Sequence, residues 1–496
     1  MDAKLIQEAI VKEASKLIVR YEAYHNALHL EWERNCKRTG AVLPKTVMKP
    51  SYWKNDPKFD PFYCKANAKA IARSIAKSIR AGTYAPRDPH EKDIPKTVGG
   101  VRKLRIYQVP DAAVSRVLYG RLLAKNKHRF SSFSYAYRDD RNVHYAIQDI
   151  AVDLSRDSRT FVAEFDFSDF FGNIQHRYLL AEFKLHGLLL TDQDEQLIRA
   201  FLSKEGRGIP QGTSVSLFLA NIACLRLDKA FERLGVKFAR YADDTVICSP
   251  SYEAVCQAVD ALIKFSKDSG VPINFKKSAG IHLLASSAQS SEIRAKTSFD
   301  FLGYAISNDR LSIKRASVLK IKKEVSYLLY KKLIQPLRGP TLRSMSIPSN
   351  NKDEGLLTAM MQIRRYLCGG LYKISLRRFA VSHGGQLRFK GAMSFYPLVT
   401  DVAQLRQLDG WLVATLARAL KRRAALLAEH GYTRHRSFPF AVAQHDLVSE
   451  FEKFRIHGKP LLEVPSFVLL QKAMQHGMRE HGISYVMNSK SSGYSY

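Results

Sequence analysis

The chain has 496 residues, 46% of them hydrophobic, so it can bury a substantial core and form two to four structural units. Lysine and arginine outnumber aspartate and glutamate by 78 to 46, and the net charge of +32 makes nucleic acid the first partner to consider, with a merely solubilising basic surface as the alternative. The six cysteines form no CxxC pair, and no apolar run approaches the roughly 20 residues of a membrane span, which argues against a disulfide framework, a zinc ribbon and a membrane protein. We expect a reduced, cytoplasmic protein.

The N-terminal part of the chain is predicted to be helical. Apolar residues recur at helical spacing in residues 1–35 and again from Ile71 to Ile79. The stretch 84–100 contains several prolines and glycines and predicts a loop or a short edge strand. A new structural region therefore begins after it.

Residues 101–303 carry a mixed pattern. Short β-prone runs such as TFVAEFDF, KFARYADDTVICS and SFDFLGY alternate with helical patterns, which is typical of an α+β fold around one sheet. After Leu311 the strand signals fade, and residues 311–340 hold eight lysines and arginines against one acidic residue, Glu324. This last part is predicted to be helical and basic.

The strongest local signal is Tyr-Ala-Asp-Asp at 241–244, between two apolar runs that predict a β-hairpin with Asp243 and Asp244 at its tip. Upstream, Asp166 ends another strand-like run, whereas Asp169, three residues on, is assigned a structural role. Crowded carboxylates need neutralisation, and Mg²⁺ supplies it through hard oxygen ligands. Three aspartates at one sheet edge predict a site for two Mg²⁺ ions about 3.5–4 Å apart that catalyses phosphoryl transfer. For the hairpin alone, a solvated turn is the alternative.

The residues around these aspartates complete a pattern that resembles the reverse transcriptase family. In the family's order stand the Asp166 strand, GIPQGTSVSLFLANI at 208–222, the 241–244 hairpin, Asn274–Lys277 and Phe301–Tyr304. The resemblance implies an RNA-directed DNA polymerase that uses two Mg²⁺ ions, with Mn²⁺ as a substitute, and dNTPs. The implied catalytic residues are Asp166, Asp243 and Asp244, and the implied metal ligands are Asp166, Phe167, Asp243 and Asp244.

The resemblance also implies contacts with the incoming nucleotide. The segment RKLRIYQVPD is similar to a fingers motif whose arginine contacts the triphosphate, here Arg105, with Arg102 and Lys103 beside it. Lys277 matches a basic residue near the β- and γ-phosphates. For each of these residues, an exposed surface charge is the alternative.

Three further residues of the nucleotide site follow from the same resemblance. Gln211 would lie near the 3′-hydroxyl, and Gly212 would let the main chain approach the template base pair. Phe171, five residues after Asp166, matches an aromatic residue that collides with a ribose 2′-hydroxyl, so deoxynucleotides are the expected substrates. An ordinary core phenylalanine is the alternative for Phe171.

Basic residues are expected to hold the phosphates of an RNA template and a DNA product. Residues 130–147 resemble a fingers motif that supports the template, and the interleaved basic and aromatic residues of 363–380 suit either RNA contact or a snorkelling helix surface. The predicted nucleic-acid contacts are Arg138, Lys314, Arg315, Lys320, Lys322, Lys323, Arg364 and Arg365.

The implied architecture is an α+β right-hand polymerase, with fingers and palm around an antiparallel sheet, followed by helices. The predicted parts are a helical N-terminal extension (1–95), fingers and palm (96–305), a helical basic thumb (306–390) and a helical C-terminal domain with a flexible tail (391–496). No Cys/His nuclease cluster and no second carboxylate set for an RNase H domain is apparent in the sequence. Homo-oligomers are compatible with the sequence, and no membrane partner is expected.

The branch of the family is indicated by weaker signals. Intron-encoded and retron enzymes commonly have a proline after the serine of the 208–222 motif, and this chain has Leu217. Residues 363–380 and 391–423 resemble the extension of the defence-associated reverse transcriptases of bacteria. This resemblance implies antiphage defence with a structured noncoding RNA as template.

Other functions share parts of this pattern. An RNA-dependent RNA polymerase has similar carboxylates, an intron maturase has the polymerase motifs, and an inactive polymerase fold could serve as an RNA scaffold. Priming is a further open question, because tyrosine hydroxyls near the C-terminus could replace a primer's 3′-hydroxyl. The candidates are Tyr485, Tyr494 and Tyr496, with an idle tail as the alternative.

Overall fold

The computed structural model describes residues 1–39, 42, 49–95, 101–154, 159–202, 205–276, 278–285, 293–338, 353–381, 386–432 and 437–486. These residues belong to two compact units, one drawn from Met1–Trp32 and Pro44–Lys296 and the other from Glu33–Leu43 and Thr297–Ser495. Within the described ranges, no helix is long and apolar enough to cross a membrane.

The first unit mixes helices and strands, as the α+β pattern predicts. Helix α1 (Ala3–Thr39) belongs to this unit as far as Trp32. The other helices of the unit are α2 (Pro61–Ala66), α3 (Ala68–Arg80), α4 (Val109–Asn126), α5 (Val143–Leu154), α6 (Phe170–Asn173), α7 (His176–Leu185), α8 (Asp192–Phe201), α9 (Val215–Ala223), α10 (Leu225–Arg233) and α11 (Tyr252–Ser269). Its strands are β1 (His90–Pro95), β2 (Val101–Ile106), β3 (Thr160–Phe165), β4 (Lys237–Tyr241), β5 (Asp244–Ser249), β6 (Gly280–Leu284) and β7 (Ala295–Lys296).

A five-stranded sheet in the order β4-β5-β3-β6-β7 forms the centre of this unit. Its pairs are antiparallel except for β6 with β7. The central strand β3 is buried on both faces, with Phe161, Val162 and Ala163 almost inaccessible to solvent, as expected for a strand covered by helices. Separately, β1 and β2 pair as an antiparallel hairpin.

Local sequence signals explain where several helices begin and end. Helix α8 starts with a capping box, in which Thr191 and Asp194 satisfy each other's main-chain N–H groups. Helix α11 starts at Ser251, whose side chain accepts a hydrogen bond from the N–H of Ala254, and ends at Gly270 in the left-handed conformation. These caps fix where the two helices begin and where α11 ends.

The second unit begins with a small sheet and continues with helices. Its antiparallel strands, in the order β10-β9-β8, are β8 (Phe299–Phe301), β9 (Tyr304–Ile306) and β10 (Leu311–Ile313). Its helices are α12 (Arg315–Leu329), α13 (Glu354–Cys368), α14 (Lys373–Val381), α15 (Val402–Glu429), α16 (Leu447–Lys453), α17 (Phe467–His481) and α18 (Ile483–Val486). A π-helical turn, Tyr330–Ile334, extends α12. The helical character predicted after Leu311 is confirmed.

Candidate active site

The predicted hairpin at 241–244 is present in the structure. Strands β4 and β5 are antiparallel, and Tyr241 pairs with Asp244, which leaves Ala242 and Asp243 as a two-residue turn. Ala242 has a φ of +62°, in the left-handed region that tight hairpin turns favour. The turn therefore presents two adjacent carboxylates at the end of the sheet.

The strand register brings Asp166 to the same place. The last pair between β3 and β5 joins Phe165 to Thr245, so the next residues along the two strands are Asp166 and Asp244. Asp244 is exposed, and Asp166 and Asp243 are half-buried. The three aspartates lie at neighbouring main-chain positions at one end of the two central strands.

The donor chemistry of this group suits magnesium, because carboxylate oxygens are the ligands that Mg²⁺ prefers. In the described part of the chain, no three His, Cys, Asp or Glu side chains are gathered in the arrangement of a metal site. The three aspartates are neighbours through the pairing of their strands. The ring of Phe167 is buried against Phe170 and Phe265. Since this side chain contains no oxygen, Phe167 could offer a metal only its main-chain carbonyl.

Asp166 is held by the segment that follows α11. The side-chain amide of Asn274 donates a hydrogen bond to Oδ2 of Asp166 (3.3 Å), and its main-chain N–H donates to the Asp166 carbonyl (2.8 Å). The hydroxyl of Ser278 accepts the Asp166 N–H (3.2 Å) and donates to the Asn274 carbonyl (2.9 Å). The family-like segment 274–277 therefore orients an aspartate, a role that the sequence interpretation missed. Lys277 lies outside the described residues.

A buried arginine forms a hydrogen bond to the main chain of the hairpin turn. Arg240, on β4, binds both carboxylate oxygens of Asp228 at 2.7 and 2.6 Å, and the two side chains are each about 1% exposed. The same guanidinium donates to the carbonyl of Ala242 in the turn (3.0 Å) and to the hydroxyl of Ser134 (2.7 Å). Burial disfavours the charged guanidinium, but the Asp228 carboxylate outweighs this effect and raises the pKa of Arg240. Sequence reasoning missed this residue.

The predicted triphosphate contacts on β2 are paired with one acidic residue. Arg105 lies opposite Glu91 of β1 and forms an ion pair with it (3.5 Å), and Lys103 forms another (3.3 Å). The Lys103 hydrogen bond and charge, with the charge of Arg105, hold the pKa of Glu91 below its usual range. The side chain of Arg102 lies outside the described part of the structure.

The loop that carries Gln211 and Gly212 packs against β2. The N–H of Arg105 donates to the carbonyl of Gln211 (3.3 Å). Gly212 has a φ of +121°, and a Cβ there would lie 2.1 Å from the carbonyl oxygen of Arg105. A glycine is thus required at this position by strand β2, whether or not a template base pair also approaches it.

Phe171 lies between the core and the surface. Its ring is half-buried and meets the buried ring of Phe170 edge-on, with 5.6 Å between centroids. Its carbonyl accepts the N–H of Ile209 (2.7 Å), which ties it to the loop before Gln211. Asp169 adopts a left-handed φ of +45° at the start of α6, and its main-chain carbonyl accepts the N–H groups of Gly172 and Asn173.

Two of the predicted nucleic-acid contacts have side chains that protein groups largely enclose. The side chain of Arg138 is 5% exposed and binds both oxygens of Asp140 and the carbonyl of Ser131. Arg364 is 2% exposed, and its guanidinium lies 4.1 Å from the ring centre of Tyr372. Both guanidinium groups are enclosed by protein because each has found partners within its own unit.

The other basic candidates lie in the second unit near its surface. Lys314 forms an ion pair with Asp300 (3.4 Å), and Lys322 lies over the ring of Trp411 (5.3 Å). The remaining four are exposed: Arg315, Lys320, Lys323 and Arg365. These four are the side chains of this group that solvent reaches most freely.

One of the candidate priming tyrosines lies in ordered helical structure. The hydroxyl of Tyr485 accepts the N–H of Leu387 (2.6 Å), and its ring stacks on Phe379. Its hydroxyl is therefore engaged within the second unit. Tyr494 and Tyr496 lie outside the described residues.

Comparison with known proteins is consistent with this geometry. Residues 94–306 match the family described as reverse transcriptase (RNA-dependent DNA polymerase). The chain is 27% identical to Protein YkfC of Escherichia coli K12 over 162 residues, which are 30% of this chain and 42% of that protein. It is 30% identical to the Retron Ec86 reverse transcriptase of E. coli over 124 residues, 24% of this chain and 37% of that enzyme.

More distant similarities extend to a fungal intron protein and to telomerases. An uncharacterised 91 kDa protein in the cob intron of Schizosaccharomyces pombe is 32% identical over 155 residues, 29% of this chain and 19% of that protein. The chain spans less than half the length of each of these curated relatives. The structure of apo telomerase from Candida tropicalis matches with a TM-score of 0.37 and 13% identity, covering 94% of this chain and 70% of that one.

Proposed function

We propose that this protein synthesises DNA from dNTPs on an RNA template, because residues 94–306 match the reverse transcriptase family. The observation that supports the proposal is the register of β3 and β5: their last pair joins Phe165 to Thr245, and Asp166 and Asp244 are the adjoining residues. Carboxylates are the residue type that metal-assisted phosphoryl transfer uses.

The metal site belongs to this proposal. Asp166, Asp243 and Asp244, with the carbonyl of Phe167, would hold two Mg²⁺ ions, for which Mn²⁺ can substitute. When bound, such ions activate the 3′-hydroxyl and neutralise charge on the triphosphate. The protein's part is to keep the carboxylates in register, and the hydrogen bonds of Asn274 to Asp166 support this role.

The nucleotide site is proposed along the loop and strand beside the aspartates. Arg105 and Lys103 would release their ion pairs with Glu91 and bind the triphosphate instead. The triphosphate carries more negative charge than one carboxylate. Arg102 and Lys277 would add charge to the same group. Gln211 and Phe171 would face the sugar, the first near its 3′ side and the second beneath its 2′ side. The contact between Ile209 and Phe171 supports a common placement of this loop and ring.

Primer extension tests the proposal directly. The purified chain is incubated with an RNA template, an annealed DNA primer and Mg²⁺, with dNTPs in one reaction and ribonucleotides in another. We expect extension with dNTPs and none from Asp243→Asn, a substitution that keeps the shape of the side chain and removes its charge. Extension with ribonucleotides in preference would indicate an RNA polymerase. RNA binding without extension under any condition would indicate a scaffold.

We propose, further, a role in bacterial antiphage defence with a structured noncoding RNA as template. The resemblance of 363–380 and 391–423 to defence-associated enzymes supports it, as does Leu217 in the 208–222 motif. Cells that express the wild-type chain should show fewer phage plaques than cells that express Asp243→Asn. Sequencing the RNA and DNA that copurify with each would identify the template, and equal plaque counts would contradict the defence role.

Binding of an intron RNA, as in a maturase, is a second candidate. The observation that favours it is the similarity to a protein in the cob intron of S. pombe. Sequencing of copurified RNA separates the two proposals, because enrichment of a spliced intron would support the maturase and enrichment of another structured RNA would support the defence enzyme.

A further inference from the structure

A row of positive charges lies along the helices that precede the reverse transcriptase domain. We name this row the cation ladder; its members are Lys65 on α2 and Lys69, Arg73, Lys77 and Arg80 on α3, all exposed. The members on α3 follow one another at steps of four, four and three residues. Because a helical turn takes about 3.6 residues, these steps keep the side chains on one side of α3.

The cation ladder has no acidic neighbours in sequence. Residues 61–87 contain no aspartate or glutamate. On other helices some cations are paired with acids one turn away, as Arg199 is with Glu195 (2.6 Å) and Lys16 with Glu13 (3.9 Å). Among the described residues, no member of the cation ladder forms an ion pair. A charged surface that served only solubility would not need this separation of signs.

The other side of α3 is fixed in the protein. Ile71, Ala72, Ala76 and Ile79 are buried in the core of the first unit. The helix therefore has no apolar face left to insert into a lipid surface, which distinguishes it from membrane-binding amphipathic helices. What remains outside is a row of guanidinium and ammonium groups that suits phosphates.

The length of the row matches several phosphates. From Lys69 to Arg80 the helix rises about 16 Å at 1.5 Å per residue. Successive phosphates of a nucleic-acid strand lie several ångströms apart, so the row can contact more than one of them. Such contacts hold a strand in place without reading its sequence.

We infer that the cation ladder binds the phosphate backbone of the RNA that this protein copies, at a place outside the polymerase domain. The identity of the ligand as RNA rests on the proposed function. The position of the cation ladder at 65–80, before the matched residues 94–306, separates this surface from the active site in sequence. It would retain a template while the copied portion moves through the active site.

A matched pair of variants tests the inference in the full-length protein. The first replaces Lys69, Arg73 and Lys77 with glutamine, and the control replaces Lys184, Lys264 and Lys267, which are exposed on α7 and α11 of the same unit. Both remove three positive charges, and glutamine keeps a good helix propensity. Circular dichroism and thermal unfolding establish that both fold as the wild type does.

The measurement is the affinity for a short unstructured RNA across a series of KCl concentrations. The slope of log K against log salt falls by about 0.7 for each lost phosphate contact with a single strand. We therefore expect the cation-ladder variant to bind RNA more weakly, with a slope smaller by about 2. The control should keep a nearly wild-type slope, and equal losses in the two variants would overturn the inference.

Two further arms separate the ligand and the proposed function. Stronger loss of binding to anionic lipid vesicles than to RNA, or to single-stranded DNA than to RNA, would overturn RNA as the ligand. At saturating primer and template, the cation-ladder variant should extend the primer at the wild-type rate. A wild type that binds RNA through the cation ladder and never extends a primer would contradict the polymerase while leaving this surface in place.

Discussion

Each unit of this protein contains a buried arginine–aspartate pair with nearly the same chemistry. In the first unit, Arg240 binds both oxygens of Asp228 at 2.7 and 2.6 Å. In the second, Arg423 binds both oxygens of Asp353 at 2.6 and 2.8 Å. Every side chain of the two pairs is at most 5% exposed. Measured by hydrogen bonds and burial alone, the two pairs are equivalent.

The pairs differ in the main chain that each arginine reaches with its remaining N–H groups. Arg240 donates to the carbonyl of Ala242, in the turn that carries two candidate metal ligands. Arg423 donates to the carbonyl of Leu333 (2.7 Å), in the π-helical turn after α12. A buried ion pair fixes whatever backbone it holds, so its effect on function depends on its position and not on its strength.

The largest effect is expected at the turn itself. Asp243→Asn should abolish DNA synthesis because the neutral amide is a poor ligand for Mg²⁺. Thermal unfolding and RNA affinity should stay near wild-type values, since Asp243 is only half-buried at the sheet end. Primer extension and a melting curve check this prediction. A folded Asp243→Asn, Asp244→Asn double variant that extends primers normally would exclude the proposed metal site.

The next largest effect is expected from substitutions in the Arg240–Asp228 pair. Arg240→Met leaves Asp228 buried without its partner and should lower the free energy of unfolding by about 3–5 kcal/mol. Arg240→Met with Asp228→Leu replaces the whole pair with apolar groups and should recover much of that stability. Synthesis should remain slow in both variants, because the hydrogen bond to Ala242 is absent from each.

Measurements of kcat and of unfolding separate these two consequences. For the double variant, Arg240→Met with Asp228→Leu, we expect a kcat below the wild-type value and a KM close to it. If its kcat returned to the wild-type value together with its stability, Arg240 would be a packing residue with no influence on the turn.

The second unit provides the matched comparison. Arg423→Met should destabilise the protein by a similar amount, about 3–5 kcal/mol. Asp353 also caps α13 by accepting hydrogen bonds from the N–H groups of Gly355 and Leu356. The double variant therefore combines Arg423→Met with Asp353→Asn, because asparagine keeps the cap without the charge. Primer extension per folded molecule should be unchanged in both. A loss of kcat as large as that of Arg240→Met would remove the distinction between the two pairs.

The hairpin and the buried pairs differ in how well the sequence predicts them. The hairpin at 241–244 is local, so alternating apolar runs around a polar turn were enough to predict it, and order along the chain added Asp166. Which of the 78 lysines and arginines are buried is decided by contacts far apart in sequence. Arg240 meets Asp228, Ser134 and Ala242 from separate elements.

Arg138 and Arg364 are bound by protein groups at both short and long separations along the chain. Both lie in basic, aromatic-rich stretches that suggested a nucleic-acid surface. Arg138 binds Asp140, only two residues along the chain, whereas Arg364 donates to the carbonyls of Pro460 and Leu461, which are distant in sequence. One clue was available for Arg240, since a charge inside the apolar run of a hairpin strand must find a partner if it is buried.

A smaller effect is expected at Asn274, which orients Asp166 from the neighbouring segment. Asn274→Ala removes the 3.3 Å hydrogen bond to Oδ2, and a hydrogen bond to a charged group contributes about 1.5–3 kcal/mol, so synthesis should slow by roughly tenfold or more. Mn²⁺ binding, measured by electron paramagnetic resonance, should weaken as well. Unchanged Mn²⁺ affinity with slow synthesis would place the role of Asn274 elsewhere.

The smallest change in the rate of DNA synthesis is expected at Phe171, where the substrate preference should shift instead. Phe171→Val opens space where a ribose 2′-hydroxyl would lie, so ribonucleotide incorporation should rise while dNTP incorporation changes little. Its neighbour Phe170 is 2% exposed and in edge-on contact with it, which makes Phe170→Leu the control for a purely structural loss. The ratio of kcat/KM for a dNTP and the matching ribonucleotide should fall in the first variant and stay constant in the second. Equal ratios in wild type and Phe171→Val would make Phe171 a core residue and assign sugar choice to another side chain.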